Sequence, residues 1–260
     1  MITNPQNETI KYVRRLQSSR RFRRQEGAFV VEGTRWLAEL AAAGVRPKLL
    51  LLTEAWLQEP AQARLVEQLA APAQLTSAAA LARASDLESP AGVLAVAPLL
   101  SRPLPDRPGL LLILDRIGDP GNMGAILRTA AAAAAAGVLL APGCADIYNP
   151  KTLRGSMGAL LRLPAAELDW EAIRAQTAGL AVWLATAGAE TAYDAVDWRA
   201  PSAVIIGNEA HGPGADARRL ASGALSIPMA AGSESLNAAM AAAVILFEAA
   251  RQRRAEAAGD

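Results

Sequence analysis

Short apolar runs alternate with helix-length segments through the second half of this chain, and few folds accommodate that order. Leu110 to Leu114, Gly137 to Leu140, Leu180 to Ala185, Ala203 to Ile206 and Leu225 to Met229 read as strands. Asp119 to Ala136, Pro150 to Gly158, Trp170 to Thr177, Pro213 to Ala221 and Ser235 to Arg254 read as the helices between and after them. Strands and helices in alternation form an α/β domain with a mostly parallel sheet, because parallel neighbours need crossover connections. Ligands of such sheets bind beyond the carboxyl ends of the strands.

A second unit precedes this one. Pro98, Pro103, Pro105, Pro108 and Gly109 cluster at a density that can continue neither a helix nor a central strand, which marks a linker. The expected division is an N-terminal domain over 1–98, a linker over 99–109 and a C-terminal domain over 110–260. Before the linker, Thr34 to Ala43 and Ala61 to Ala70 pattern as helices, and Lys48 to Thr53 and Gly92 to Ala97 as strands. The N-terminal domain is thus expected to be a small α/β unit of about a hundred residues.

Composition removes several classes of function. With 52% hydrophobic and 20% charged residues the chain can build an ample core and has no disordered signature. Its longest uncharged apolar stretch, from Thr129 to Cys144, is broken by Gly137, Pro142 and Gly143, so it falls short of the roughly 20 residues a spanning helix needs. The polar, basic N-terminus has no apolar segment behind it to serve as a signal peptide, and a cytoplasmic location is expected. One cysteine, Cys144, and one histidine, His211, exclude an internal disulfide and leave no cluster of zinc ligands, so no metal is expected.

The net charge of +1 conceals an uneven distribution. Residues 1–24 carry Lys11, Arg14, Arg15, Arg20, Arg21, Arg23 and Arg24 against Glu8 alone, a local +6 that leaves −5 for the remainder. Such a patch fits phosphate neutralisation on a nucleic acid, or else a solvated helix face or loose basic arm.

Three polar segments interrupt the alternation at strand ends. The first, Asn122-Met-Gly-Ala-Ile-Leu-Arg128, lies in a turn and helix whose glycines, Gly118, Gly121 and Gly124, are spaced by three and do not make G-x-G-x-x-G. Asp119 and Pro120 also fit an ordinary helix start, but Arg128 stands about two turns into an apolar helix, where a buried cation would need a partner. The second, Gly207-Asn-Glu-Ala-His-Gly212, follows a strand, and its glycines permit a tight turn with close main-chain approach to a ligand. The third, Ile227-Pro-Met-Ala-Ala-Gly-Ser-Glu-Ser-Leu-Asn237, runs from a strand end into the last helix, where its polar residues could serve as caps. On that helix Leu236, Met240, Val244 and Phe247 share one apolar face while the other is mostly alanine, which predicts burial on more than one side, within the subunit or against a partner. A serine hydrolase is excluded, since G-x-S-x-G around Ser156 would need glycine where Arg154 stands, and no P-loop motif occurs.

Taken in order, the three segments resemble the motifs of the SpoU (TrmH-like) RNA ribose 2'-O-methyltransferases. The stretch from Ile2 to Lys11 and on to Phe29-Val-Val-Glu-Gly33 likewise resembles the start of the small substrate-binding domain that precedes many SpoU catalytic domains. The resemblance implies S-adenosylmethionine as cofactor, RNA as partner, a homodimer and a C-terminal trefoil knot, which topology rules alone would count as a rare exception. It implies a catalytic role for Arg128, with Asn122, Glu209 and Asn237 in the active-site network. Gly207, Ile227, Met229, Ser235 and Leu236 would hold the cofactor, largely by main chain. Lys151, Arg154 and Ser156 match a further family segment, which adds Arg154 to the RNA-binding candidates Lys11, Arg14, Arg15, Arg20, Arg21, Arg23 and Arg24. Ala210, His211 and Pro213 depart from the usual second motif. Ribosomal RNA is the expected substrate, with transfer RNA, or a non-catalytic RNA-binding assembly factor of the same fold, as the alternatives.

Overall fold

The computed structural model describes residues 1–208, 212–230 and 235–257. It divides into two compact units: Met1–Leu100 together with Tyr148–Leu161, and Ser101–Ile147 together with Arg162–Asp260.

The first unit contains α1 (Glu8–Ser18), α2 (Arg20–Glu26), β1 (Ala28–Glu32), α3 (Thr34–Ala42), β2 (Leu49–Leu52), α4 (Glu54–Leu57), α5 (Pro60–Leu69), β3 (Ala73–Leu75), α6 (Ala78–Ala84) and β4 (Val93–Pro98). Its sheet runs β1-β4-β2-β3, antiparallel except for the β2 and β3 pair. The basic N-terminus is no loose arm. Asn7 caps α1 by accepting the Thr9 amide, and Ile10, Val13 and Leu16, at helical spacing, pack with Leu81, Leu94 and Val96. Ser19 ends α1 and caps α2, and Gly27 closes α2 at φ 56°, a left-handed turn that glycine adopts without steric cost. The segment after Ile147 contributes α8 here (Pro150–Ser156, following α7 below), where Asn149 accepts the Lys151 amide and Tyr148 packs on Phe29 at 4.9 Å.

The second unit contains β5 (Leu110–Asp115), α7 (Pro120–Ala132), β6 (Gly137–Leu140), β7 (Ala165–Glu167), α9 (Trp170–Gln176), β8 (Ala181–Ala185), β9 (Thr191–Ala192), β10 (Ser202–Gly207), α10 (Ala215–Leu220), β11 (Gly223–Ser226) and α11 (Ala238–Ala257). All seven strands are parallel, in the order β7-β6-β5-β10-β8-β11-β9. Alternate residues of the central strands, Leu111 and Ile113, Ala203 and Ile205, Val182 and Leu184, form one side of the core with Ile173 and Ala217. Their neighbours Leu112, Leu114, Val204 and Ile206 are equally buried, as expected of strands covered on both faces.

Local structure departs from the sequence pattern in instructive places. The α7 helix stops at Ala132 and not at Ala136, because Ala134 adopts φ 55° and frees the Ala136 amide to pair with the Leu110 carbonyl. Strand β11 covers Gly223–Ser226, earlier than the apolar run Leu225 to Met229; Pro228, with no amide hydrogen, cannot extend the ladder. Within the single chain the α11 helix buries its alanine-rich side and leaves the side of larger apolar residues open. Ala238, Ala239, Ala242, Ile245, Leu246, Ala249 and Ala250 are buried, whereas Met240 and Phe247 are 54% and 46% exposed. Alanines let α11 approach α7 closely, and that packing outweighs the larger side chains of the opposite face. The far end of α11 is fixed by Arg253, whose Nε donates to the Trp198 carbonyl and whose Nη2 donates to the Gly109 carbonyl, both at 2.7 Å.

Among the described residues no helix is long and apolar enough to cross a membrane, and no group of three or more potential ligands could hold a metal ion.

Candidate active site

The register of the sheet brings three strand ends level. Gly207 on β10 lies beside Asp115 on β5, and Ile206 beside Ala185 on β8. Beyond these carboxyl ends opens a cavity of about 230 Å³ lined by Ala185, Thr186 and Ala187 after β8, by Gly207, Asn208, Gly212 and Pro213 after β10, and by Ile227, Met229, Ser235, Leu236, Ala238 and Ala241 around the β11 to α11 connection. Every residue expected to hold the cofactor, Gly207, Ile227, Met229, Ser235 and Leu236, is in this lining. Its lining combines small residues with the apolar Ile227, Met229 and Leu236, a composition that suits a small-molecule site. Gly207 is required by space and not by conformation: a Cβ there would lie 2.9 Å from the Pro213 Cα.

Asn122 and Asn237 meet beside the cavity although they are far apart in sequence. Asn237 Nδ2 donates to Asn122 Oδ1 at 3.1 Å, and Asn237 Oδ1 accepts the Ala239 amide at 2.9 Å, so one side chain both starts α11 and touches α7. Asp119 holds the other end of the pair by accepting the Asn122 amide at 2.8 Å. First and third segments are thereby joined.

Arg128 is exposed and has no hydrogen-bond or ion-pair partner among the described residues. The argument that a buried cation would need a partner therefore does not apply; α7 presents this guanidinium to solvent about 9 Å along the helix from Asn122. Glu209, with Ala210 and His211, lies outside the described residues, as do Gly232, Ser233 and Glu234 of the third segment.

The basic candidates of the N-terminal unit separate into distinct groups. Arg14, Arg21 and Arg24 are exposed, Arg20 is half-buried, and Lys11 pairs with Glu8 at 2.7 Å. Arg15 is exposed, with its guanidinium carbon 4.1 Å over the Phe22 ring. Arg23 must be removed from the RNA-binding set. It is 3% exposed, and its Nη1 donates to the carbonyls of Leu16 and Gln17, the uncapped end of α1. Arg154, also in this unit, forms an exposed ion pair with Asp86 at 2.7 Å. Arg23→Ala is therefore expected to destabilise the protein by about 1–3 kcal/mol in chemical denaturation, while Arg14→Ala and Arg21→Ala change stability by less than ~0.5 kcal/mol. Equal stability of all three variants would contradict the division.

Sequence reasoning missed Ala185, Thr186 and Ala187, although the rule that ligands gather at strand carboxyl ends points to the end of β8. It assigned no role to Asn208, quoted within the second segment. Asp115 and Arg116, which contact the second segment from the end of β5, were also overlooked.

The chain matches, over residues 109–247, the model of the SpoU rRNA methylase family, and over residues 7–95 that of the MRM3-like substrate-binding domain. It is 34% identical over 256 residues to a 23S rRNA (uridine(2479)-2'-O)-methyltransferase of Streptomyces viridochromogenes, covering 92% of this chain and 88% of that one. Human mitochondrial rRNA methyltransferase 3 is 30% identical over 328 residues, covering 97% of this chain and 74% of the relative. The crystal structure of the SpoU methyltransferase AviRb from Streptomyces viridochromogenes, in complex with AdoMet, superposes with a TM-score of 0.87 at 30% identity, over 96% of this chain and 99% of that one. A parallel sheet with its cavity at the strand ends, walled by the second and third motifs, agrees with those matches along nearly the whole sequence, and the chain belongs to the SpoU rRNA methylase family.

Proposed function

We propose that this protein transfers the methyl group of S-adenosylmethionine to a ribose 2'-hydroxyl of ribosomal RNA. The observation that carries the reading is the strand-end cavity lined by all of the expected cofactor residues, with Asn122 and Asn237 joined at its side. The lining fits such a cofactor: Gly207 lets the Pro213 main chain close against β10 as one wall, and Ile227, Met229 and Leu236 offer apolar contact. When bound, S-adenosylmethionine supplies an electrophilic methyl on a positively charged sulfur, which is why no metal is needed for the transfer.

The protein's own task is to place the hydroxyl in line with that methyl and to ease loss of its proton. Free arginine, with a pKa above about 12, is a poor base. Arg128 instead acts with a substrate phosphate: its exposed guanidinium, without a protein partner among the described residues, is free to clamp the RNA backbone and polarise the adjacent ribose. Asn122 and Asn237 fix the geometry around it, and Glu209 belongs to the same network.

The N-terminal domain, expected over 1–98, supplies RNA affinity through Arg14, Arg15, Arg20, Arg21 and Arg24, with Lys11 and Arg154 adding charge. Its match to a substrate-binding domain, together with relatives that act on ribosomal RNA, favours that substrate over transfer RNA. A non-catalytic binder would have no use for the cavity and the paired asparagines. The protein is expected to work in the cytoplasm, with the ribosomal RNA. Incubation with methyl-tritiated S-adenosylmethionine and, separately, unmodified ribosomal and transfer RNA should label ribosomal RNA alone; label in transfer RNA alone would overturn the substrate assignment.

Two features of the family resemblance belong here as well. A trefoil knot in the C-terminal segment is in keeping with a strand order that sets β10 between β5 and β8 and leaves β11 outside them. A homodimer is supported by the exposed apolar face of α11, where Met240 and Phe247 stand one heptad apart. Phe247→Asp should convert a species of twice the chain mass to monomer in sedimentation equilibrium; a wild-type monomer would contradict the dimer.

A further inference from the structure

Asp115 takes no part in the chemistry above, yet it is 2% exposed at the end of β5, next to the cavity wall. A buried carboxylate must be hydrogen-bonded and charge-compensated, and the partners of this one are informative. Its Oδ2 accepts the Gly214 amide at 2.6 Å, and its Oδ1 accepts from Arg116 Nε at 3.3 Å. Arg116 then turns at φ 56°, in the left-handed region, and its Nη2 donates to the Gly212 carbonyl at 3.0 Å. In return Asn208 Nδ2 donates to the Arg116 carbonyl at 3.0 Å. Two consecutive residues at one strand end thus grip Asn208, Gly212 and Gly214 at the next. The space around them is small: a Cβ at Gly214 would lie 3.3 Å from both Asp115 Oδ2 and Arg116 Nη2, and one at Gly143 would lie 3.0 Å from Arg116 Cγ.

We propose that Asp115 and Arg116 are positioning residues that clamp the second-motif wall, so that Gly207, Asn208, Gly212 and Pro213 keep the cofactor cavity in its binding shape. The proposal rests on the S-adenosylmethionine reading of that cavity. The carboxylate suits this role because a charge-assisted bond to a main-chain amide is shorter and stronger than a neutral one. The arginine compensates the buried charge while holding the neighbouring carbonyl, so the clamp brings its own counterion. A left-handed arginine is a strained choice that the surrounding contacts must maintain.

The test measures S-adenosylmethionine binding calorimetrically, and KM for cofactor and for RNA, on the full-length protein and on Asp115→Ala, Asp115→Asn and Arg116→Leu. An amide left without its buried acceptor loses the equivalent of about 5- to 150-fold in an equilibrium constant. Asp115→Ala should therefore raise Kd and KM for S-adenosylmethionine at least about tenfold, with KM for RNA within about twofold. Asp115→Asn, which keeps an oxygen to accept the Gly214 amide, should recover most of the loss. Arg116→Leu removes the 3.3 Å ion pair and the bond to the Gly212 carbonyl but leaves the shorter Asp115 bond to the Gly214 amide, so it is expected to fold and to show a smaller rise, about threefold. Wild-type cofactor affinity in both Asp115→Ala and Arg116→Leu overturns the clamp alone. Parallel loss of cofactor affinity, RNA affinity and thermal stability in Arg116→Leu reduces it to ordinary fold support and overturns it too. Failure of the wild-type protein to bind S-adenosylmethionine overturns the cavity reading and the clamp together.

Discussion

Replacing Arg128 by alanine is expected to lower methyl transfer at least about a hundredfold while leaving the Kd for S-adenosylmethionine within about twofold. The magnitude is that of removing one preorganised donor from a reacting centre. The separation of the two effects follows from the structure: Arg128 is on the exposed side of α7, and the cavity lining does not include it. Since the side chain is exposed and no ion pair depends on it among the described residues, the substitution is also expected to be nearly neutral for stability. Arg128→Lys separates the roles further. A lysine keeps the charge but not the two-pronged geometry toward phosphate, so partial activity with a weakened RNA KM is expected. Single-turnover kinetics at saturating RNA would read both; more than about a tenth of wild-type turnover in Arg128→Ala would contradict the assignment.

Gly207→Ala should produce the opposite pattern, loss of cofactor affinity with the chemical machinery intact. The added Cβ would come within 2.9 Å of the Pro213 Cα and 3.0 Å of its nitrogen, main-chain atoms that cannot swing aside. Overpacking of this kind costs about 1–3 kcal/mol, which corresponds to roughly 5- to 150-fold in Kd if the strain is released by deforming the cavity. Pro213 has little freedom to relieve it, because its neighbours Gly212 and Gly214 are held by Arg116 and Asp115. Equilibrium binding of labelled S-adenosylmethionine measures the effect directly. An unchanged Kd would mean that the second motif does not wall the cofactor.

These two substitutions separate parts of the site that the sequence revealed unequally. The residues expected to hold the cofactor were named through the family resemblance, whereas alternation of strands and helices by itself pointed to the strand carboxyl ends as the place of the cavity. Asn122 and Asn237 could be named individually, but their meeting depends on how α7 and α11 pack, and periodicity does not encode which helices become neighbours. Burial was the least legible quantity. Arg23 lies in a run of arginines that looks uniformly solvated, yet it turns inward to satisfy the carbonyls at the end of α1. On α11 the pattern predicted burial on more than one side without telling which side packs within the subunit; close approach of the alanines decided that. The alanine run from Ala130 to Ala136 offered neither glycine nor proline as a stop, so the end of α7 at a left-handed Ala134 was invisible. Asp115 escaped notice for a related reason. As the last residue of an apolar strand it reads as punctuation, and only the fold shows the Gly214 amide in front of it.

The position of the transferred methyl group tests the proposed reaction most directly. Ribosomal RNA labelled by the purified protein and tritiated S-adenosylmethionine should be digested with alkali and mapped by primer extension at low nucleotide concentration. A methylated 2'-oxygen blocks alkaline cleavage of its own phosphodiester, so one alkali-resistant dinucleotide carrying the label and one reverse-transcription stop are expected. Label recovered on a base, with the backbone fully cleavable, would contradict the proposed reaction.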